Sequence, residues 1–292
     1  MTELGKRVSV AAVGIPTVLG LLYLGGWFLA VPLSAFAALG SVELYRLAEA
    51  VDVRPFRALG AAAAAGLVLL AAPTESFEAF APWGLGVLGM AAATSLVAAL
   101  FVRGPDMRPL AVVAVTLLGA VYVGLPVAVV LLLHALPARS GWVAPGGSAW
   151  AGLAVLALPL AATWVGDACA YFAGSAWGDR KLAPSISPNK SWVGFWAGLA
   201  GAAVAAGLWH VAARPVLTSF PFGMVGTVAL GAALGLGAIV GDLAESLFKR
   251  EANVKDSGTF FPGHGGALDR LDALLVTLPV AYMTLAIAEA LP

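Results

Sequence analysis

The chain is a succession of apolar stretches, each about as long as a bilayer is thick, joined by short loops that carry most of its charge. A hydrocarbon core takes roughly 20 apolar residues of helix to cross. At that depth there is no water for backbone N–H and C=O groups, so such stretches must close their hydrogen bonds internally, as helices. Nine candidate spans can be marked off, at 8–24, 26–44, 57–73, 82–102, 110–133, 149–174, 192–211, 223–246 and 267–289, with the Gly25-Gly26 pair as the tight turn between the first two. The first is short enough to be the apolar region of a signal peptide. Gly14, Ile15 and Pro16, and the lack of a small-residue cleavage site before the next span, favour a membrane span. Of the 292 residues 61% are hydrophobic and 11% charged, against roughly 25% charged in a soluble domain. The expected fold class is an all-α, polytopic integral membrane protein. Cys169 is the only cysteine, which excludes an intrachain disulfide and a cysteine-based metal site.

Basic residues accumulate in cytoplasmic loops, so their distribution sets the expected topology. With the N-terminus inside, the inner segments hold 14 of the 16: Lys6, Arg7, Arg46, Arg54, Arg57, Arg103, Arg108, Arg180, Lys181, Lys190, Lys249, Arg250, Lys255 and Arg270. Only Arg139 and Arg214 fall outside. An even number of spans breaks this alternation, so nine spans with a cytoplasmic N-terminus is the expected arrangement, and the dense segment 246–266 faces the cytoplasm. A formal net charge of zero carries no information about nucleic acid, because the placement of charge relative to the bilayer matters more than its sum.

Residues 1–150 read as helices with little chemistry. Their Ala/Gly/Val/Leu text, including Ala61 to Ala65, suits close helix packing in lipid. The loop 134–148, with Pro137, Ser140, Gly141, Pro145, Gly146 and Gly147, reads as a flexible outer connection. Trp83, Trp142, Trp150 and Trp192 lie near span ends, where interfacial anchoring explains them better than base stacking. His134 and His210 have no carboxylate or cysteine company and read as interfacial residues.

Residues 151–292 hold the chemistry, with loops at 178–192 and 247–266 facing the cytoplasm. Asp167 and Tyr171, four apart, share a helix face. A carboxylate in a span is expensive, at least ~2.5 kcal/mol on insertion scales, and so faces the bundle interior or a substrate path. An interhelical hydrogen bond is the structural alternative. In the stretch K181-L-A-P-S-I-S187-P-N189-K190-S191-W192, Ser187, Asn189, Lys190 and Ser191 stand at the start of a helix, where free N–H groups suit phosphate. Ser187-Pro188 is equally a helix cap and turn. Further on, Asp242, Glu245, Ser246 and Lys249 recur at helical spacing on one face, and Asp269 and Asp272, three apart, repeat the pattern on the next helix. Carboxylate oxygens brought together by the intervening Gly/Pro-rich loop favour a hard ion such as Mg2+. Lys249, Arg250, Lys255 and Arg270 suit phosphate oxygens. Carboxylates for metal beside cations for phosphate is the equipment of nucleotidyl or phosphoryl transfer.

At these residues the chain resembles the phosphatidate cytidylyltransferases, the CDP-diacylglycerol synthases. The resemblance is carried by Ser246, Lys249-Arg250, Lys255-Asp256, Gly258, Phe261, His264-Gly265-Gly266, Asp269-Arg270 and Asp272 at fixed gaps. Asp167 to Gly174, Lys181-Leu-Ala-Pro with Ser187-Pro-Asn-Lys190, and Gly241-Asp242-Leu with Glu245-Ser246 add to it. It covers the carboxy-terminal third to two-fifths in detail. Ala267, Val193 and Ser175 depart from the pattern: a smaller aliphatic, and two positions where a polar and a basic residue are expected.

What the resemblance implies is transfer of a cytidylyl group from CTP to phosphatidic acid at the cytoplasmic face of the cell membrane, giving CDP-diacylglycerol and pyrophosphate. It implies Mg2+ on Asp242, Asp269 and Asp272, and allows a monovalent cation such as K+ alongside. Lys249, Arg250, Lys255 and Arg270 then clamp phosphates, and Asp256 holds metal or positions Lys255. His264 donates to phosphate or organises the loop, since a phosphate monoester needs no strong base. Asp167, Tyr171, Ser187, Asn189, Lys190, Ser191, Ser246, Gly265 and Gly266 are the expected substrate contacts. A polyprenol kinase using CTP is the rival enzyme, and a transporter with intramembrane Asp167 and Asp242 is the rival outside enzymes. Small-residue faces such as Gly231-x-x-x-Gly235 permit helix pairing, within the chain or in a homodimer.

Overall fold

A computed structural model describes residues 14, 16–143, 150–258 and 265–290. Among these residues eight helical segments are long and apolar enough to cross a membrane. They are α1 (Gly26–Glu49), α2 (Arg57–Thr74), α3 (Phe77–Val102), the paired α4 (Pro109–Gly119) and α5 (Leu125–Arg139), α6 (Trp150–Trp177), α7 (Trp192–Ala213), α8 (Met224–Glu251), and the short α9 (Leu268–Leu271) running into α10 (Leu274–Ala290). The chain is an all-α polytopic membrane protein. Seven of the nine expected spans reappear with one or both ends displaced by a few residues. The span expected at 110–133 is broken in the middle, and the one expected at 8–24 lies largely outside the described residues, which are helical from 16 to 24.

The starts and breaks of these helices have local causes. Gly25 and Gly26, at φ +61° and +49°, make the turn before α1 in the left-handed region that glycine enters without a Cβ clash. Ser76 caps α3 by accepting from the Ala79 N–H at 3.2 Å, and Ser191 caps α7 by accepting from the Gly194 N–H at 3.1 Å. Between α4 and α5 the turns widen into a π-helical stretch, Ala120–Gly124, with the Leu125 N–H reaching back to the Ala120 carbonyl. Pro126 follows directly and has no N–H to give to the preceding turn, so the ladder lacks one hydrogen bond at this point.

Small residues set how close the helices come. Gly166 and Gly198 each face the other's backbone carbonyl between α6 and α7, and Gly194 faces the Ala170 carbonyl. Gly231 and Gly235 of α8 lie against Ala202 and Ala206 of α7. The Gly231-x-x-x-Gly235 face is therefore occupied within the chain. The buried core is continuous from Leu22 to Leu285.

The opposite end of the bundle shows two departures from the interfacial reading. Trp142 is buried, edge-on to Phe220 at 5.5 Å between ring centroids, whereas Trp83 and Trp150 stay exposed. His134 points inward, with Nε2 2.8 Å from the Leu22 carbonyl and its ring against Gly25 and Gly152, and His210 Nδ1 meets Thr227 Oγ1 at 3.0 Å. In each case a neighbouring helix or loop supplies polar partners or ring contacts that span-end position does not reveal. Pro145, Gly146 and Gly147 lie outside the described residues.

Candidate active site

The C-terminal half of α6 and the N-terminal end of α7 are bridged by an antiparallel hairpin, β1 (Lys181–Ala183) and β2 (Ser187–Ser191), in which Lys181 pairs with Ser191 and Ala183 with Ser187. Ser187-Pro188 thus lies in a strand, and the cap of α7 is Ser191. A hairpin flanked by two helix ends and backed by α8 encloses a cleft of about 630 Å³, lined by Asp167, Tyr171, Asn189, Lys190, Ser191 and Asp242 among others. Lys190 Nζ reaches across it to Asp242 Oδ2 at 2.7 Å. The other oxygen of Asp242 accepts from the Ser246 hydroxyl at 3.2 Å, one turn further along α8.

A second cluster adjoins the first on α8. Lys249 Nζ lies 2.8 Å from Asp269 Oδ1 and 3.3 Å from Glu245 Oε1. Asp269 Oδ2 accepts from the Gly266 N–H at 2.8 Å and from the Ser257 N–H at 3.0 Å, with the Ser257 hydroxyl also at 3.0 Å. Asp269 is thereby held by one ammonium and by donors from both ends of the Gly-rich loop. Gly241 allows α8 to lie directly against the backbone of Asp272 and Ala273, and a Cβ there would strike the Asp272 carbonyl. Glu245 is fully buried; apart from the Lys249 ion pair, its oxygens have no hydrogen-bond partner among the described residues. Tyr122, on the π-helical stretch, has a buried hydroxyl that is likewise unpartnered among the described residues, and its ring stands edge-on to Phe248.

Most of the site residues expected from the sequence come together here. Asp167, Tyr171, Asn189, Lys190, Ser191 and Asp242 line the cleft, although the Ser191 hydroxyl is the acceptor of the helix cap. Ser246, Lys249, Gly266 and Asp269 belong to the two clusters. Gly265, at φ +83°, packs against the Asp269 carboxylate. Ser187 sits in the hairpin but is not among the cleft-lining residues. Arg250 ties α8 to the hairpin turn, donating from Nε to the Ile186 carbonyl at 3.1 Å. Lys255, Asp256 and Arg270 are exposed beside the cluster. His264 and Phe261 lie outside the described residues.

The three aspartates expected on one metal do not form a ready ligand group. No set of three acidic, His or Cys side chains that could hold a metal ion occurs among the described residues. Asp242 and Asp269 face lysines, and Asp272 Oδ1 accepts from the Ala273 N–H at 2.7 Å. The oxygen-only donors still fit Mg2+ in its usual mode with nucleotides, on one or two carboxylates plus substrate phosphate oxygens.

Besides Tyr122, a carboxylate beside the loop escaped sequence reasoning. Glu43 of α1 is 3% exposed and lies against the Gly-rich loop. The available signal was a carboxylate inside an otherwise apolar span.

A model of the cytidylyltransferase family matches residues 5–288. The chain belongs to the cytidylyltransferase family. Among relatives, the phosphatidate cytidylyltransferase of Synechocystis sp. is 31% identical over 299 residues, covering 95% of this chain and 94% of that protein. That of Haemophilus influenzae is 43% identical over 134 residues, 44% of each chain. That of Chlamydia pneumoniae is 38% identical over 190 residues, 64% of this chain and 59% of the relative. For this cytidylyltransferase-family chain the membership rests on the full-length match, since the higher identities cover shorter parts.

Proposed function

We infer that the protein transfers the cytidylyl group of CTP to phosphatidic acid, releasing pyrophosphate and leaving CDP-diacylglycerol in the membrane. The observation that carries the reading is the pair of Lys–Asp contacts, Lys190–Asp242 in the cleft and Lys249–Asp269 beside it, joined along α8 in a chain of this family. An oxygen of the lipid phosphate attacks the α-phosphorus of CTP, and the bond from that phosphorus to the bridging oxygen of pyrophosphate breaks. Both reactants are anions, so the principal task is positioning and charge neutralisation. Lys190 and Lys249 are already oriented by carboxylates, and nucleotide phosphates entering the cleft offer their ammoniums new acceptors. Arg250 holds the hairpin onto α8 and so keeps Lys190 and Asn189 at the cleft wall. The attacking phosphate monoester is a competent nucleophile near neutral pH, which removes the need for a strong base.

Mg2+ is proposed as the cofactor, held by Asp242 or Asp269 together with phosphate oxygens; when bound it would neutralise phosphate charge. A monovalent cation such as K+ is proposed alongside it. The site is placed on the cytoplasmic side of the cell membrane on the strength of the basic-residue distribution. Arg103 and Arg108, donating to the Arg54 and Val51 carbonyls, gather further cationic loops at one end of the bundle, in keeping with that distribution.

The test is a product analysis of the purified protein in detergent with CTP, phosphatidic acid and Mg2+, with and without chelator. CDP-diacylglycerol formed only with metal is the expected result. CDP and a phosphorylated polyprenol, formed when polyprenol is supplied, would move the assignment to a kinase.

A further inference from the structure

Glu43 lies 214 and 225 residues from its two partners in sequence, yet its carboxylate stands between both arms of the Gly-rich loop. Its Oε2 accepts from the Leu268 N–H at 2.8 Å. The Ser257 hydroxyl lies 3.2 Å from the same oxygen and 3.0 Å from Asp269 Oδ2, so its single proton lies between two carboxylates. Gly258 and Gly266 leave room for the Glu43 side chain, and a Cβ on either would run into its carboxylate. Burial of an acid at this depth is unfavourable unless hydrogen bonds compensate it. Both of these hydrogen bonds come from the loop arms that also hold Asp269.

We propose that Glu43 is a positioning residue for cytidylyl transfer, clamping the arms 257–258 and 265–268 together so that Asp269, and through it Lys249, is held at the reacting phosphates. The proposal rests on the function inferred above. Glu43 acts through Ser257 and the Leu268 N–H and lies outside the nucleotide cleft. Its loss therefore reduces turnover more than it weakens CTP binding.

The experiment compares Glu43→Ala, Glu43→Gln and Ser257→Ala as full-length protein in detergent, with turnover expressed per folded molecule. Misplacing a reacting group costs on the order of 100-fold, so Glu43→Ala should lower kcat by about that factor, with KM for CTP changed by about threefold or less. Glu43→Gln keeps an oxygen able to accept both bonds, and should stay within about tenfold of the parent. Amide hydrogen exchange across 265–272 should accelerate in Glu43→Ala and remain near the parent rate in Glu43→Gln. Wild-type kcat in Glu43→Ala, or unchanged exchange, overturns the proposal; so does a Glu43→Gln as impaired as the alanine variant. If Glu43→Ala does not fold, Ser257→Ala removes only the bridging hydroxyl, and wild-type kcat there is equally contrary. If the parent itself makes no CDP-diacylglycerol, the inferred function fails and the catalytic role with it, while the exchange data still report whether Glu43 clamps the loop.

Discussion

Asp269 is where the polar contacts of the site converge: one ammonium and three donors from Ser257 and Gly266 meet its two oxygens. Replacing it with Asn puts an NH2 group against these donors and removes the charge opposite Lys249. Asp269→Asn should lower turnover by about 100-fold or more, with the protein still eluting as a folded species in detergent; retained activity would remove Asp269 from the site. Lys190 spans the cleft to Asp242, and a charge-assisted contact of this kind is strong enough that Lys190→Ala should reduce kcat/KM for CTP about tenfold. Steady-state kinetics at varied CTP separate that loss from the kcat-dominated loss expected at Glu43. The ionisable residues of the carboxy-terminal half were legible because charge in an apolar chain is conspicuous. Glu43 was equally conspicuous as a carboxylate in an apolar span, but its role was not legible, because its partners lie 214 and 225 residues away and no local spacing points to them.

At the scale of elements, the long helices could be read from apolar length alone, since bilayer thickness fixes how much helix is needed. The π-helical stretch and the hairpin could not. The first precedes Pro126, but Pro32, Pro159 and Pro279 sit inside helices that stay regular, so a proline in the sequence does not announce it; the second arises from pairing between Lys181–Ala183 and Ser187–Ser191, a segment whose Ser-Pro reads locally as a cap. The hairpin matters because it brings Asn189 and Lys190 to the cleft, where a plain loop would leave their positions unset. The approach of α6 to α7 depends on glycines that touch opposing backbone. Gly198→Leu should overpack this contact by about 1–3 kcal/mol and lower thermal stability in detergent. A Cβ on Gly86 of α3 would meet no atom within 4 Å, so Gly86→Ala should be neutral or stabilising by up to about 1 kcal/mol from helix propensity. Equal effects of the two substitutions on melting temperature would contradict this view of the packing.

On the scale of the whole molecule, the described spans form one continuous bundle in which the amino-terminal helices do more than fill lipid, since α1 delivers Glu43 to the loop. The proposed orientation, with the site on the cytoplasmic side, rests on the basic-residue bias. A cysteine placed at Lys255 in a Cys169→Ala background should react with an impermeant maleimide only from the cytoplasmic side; labelling from outside would invert the topology.

In cytidylyl transfer the α-phosphorus of CTP is the atom attacked. CTP labelled at the α-phosphate and, separately, at the γ-phosphate tests this most directly when supplied with phosphatidic acid and Mg2+. The expected result is α-label in the lipid phase and γ-label released as pyrophosphate. γ-Label in the lipid phase, with α-label left in CDP, would contradict it.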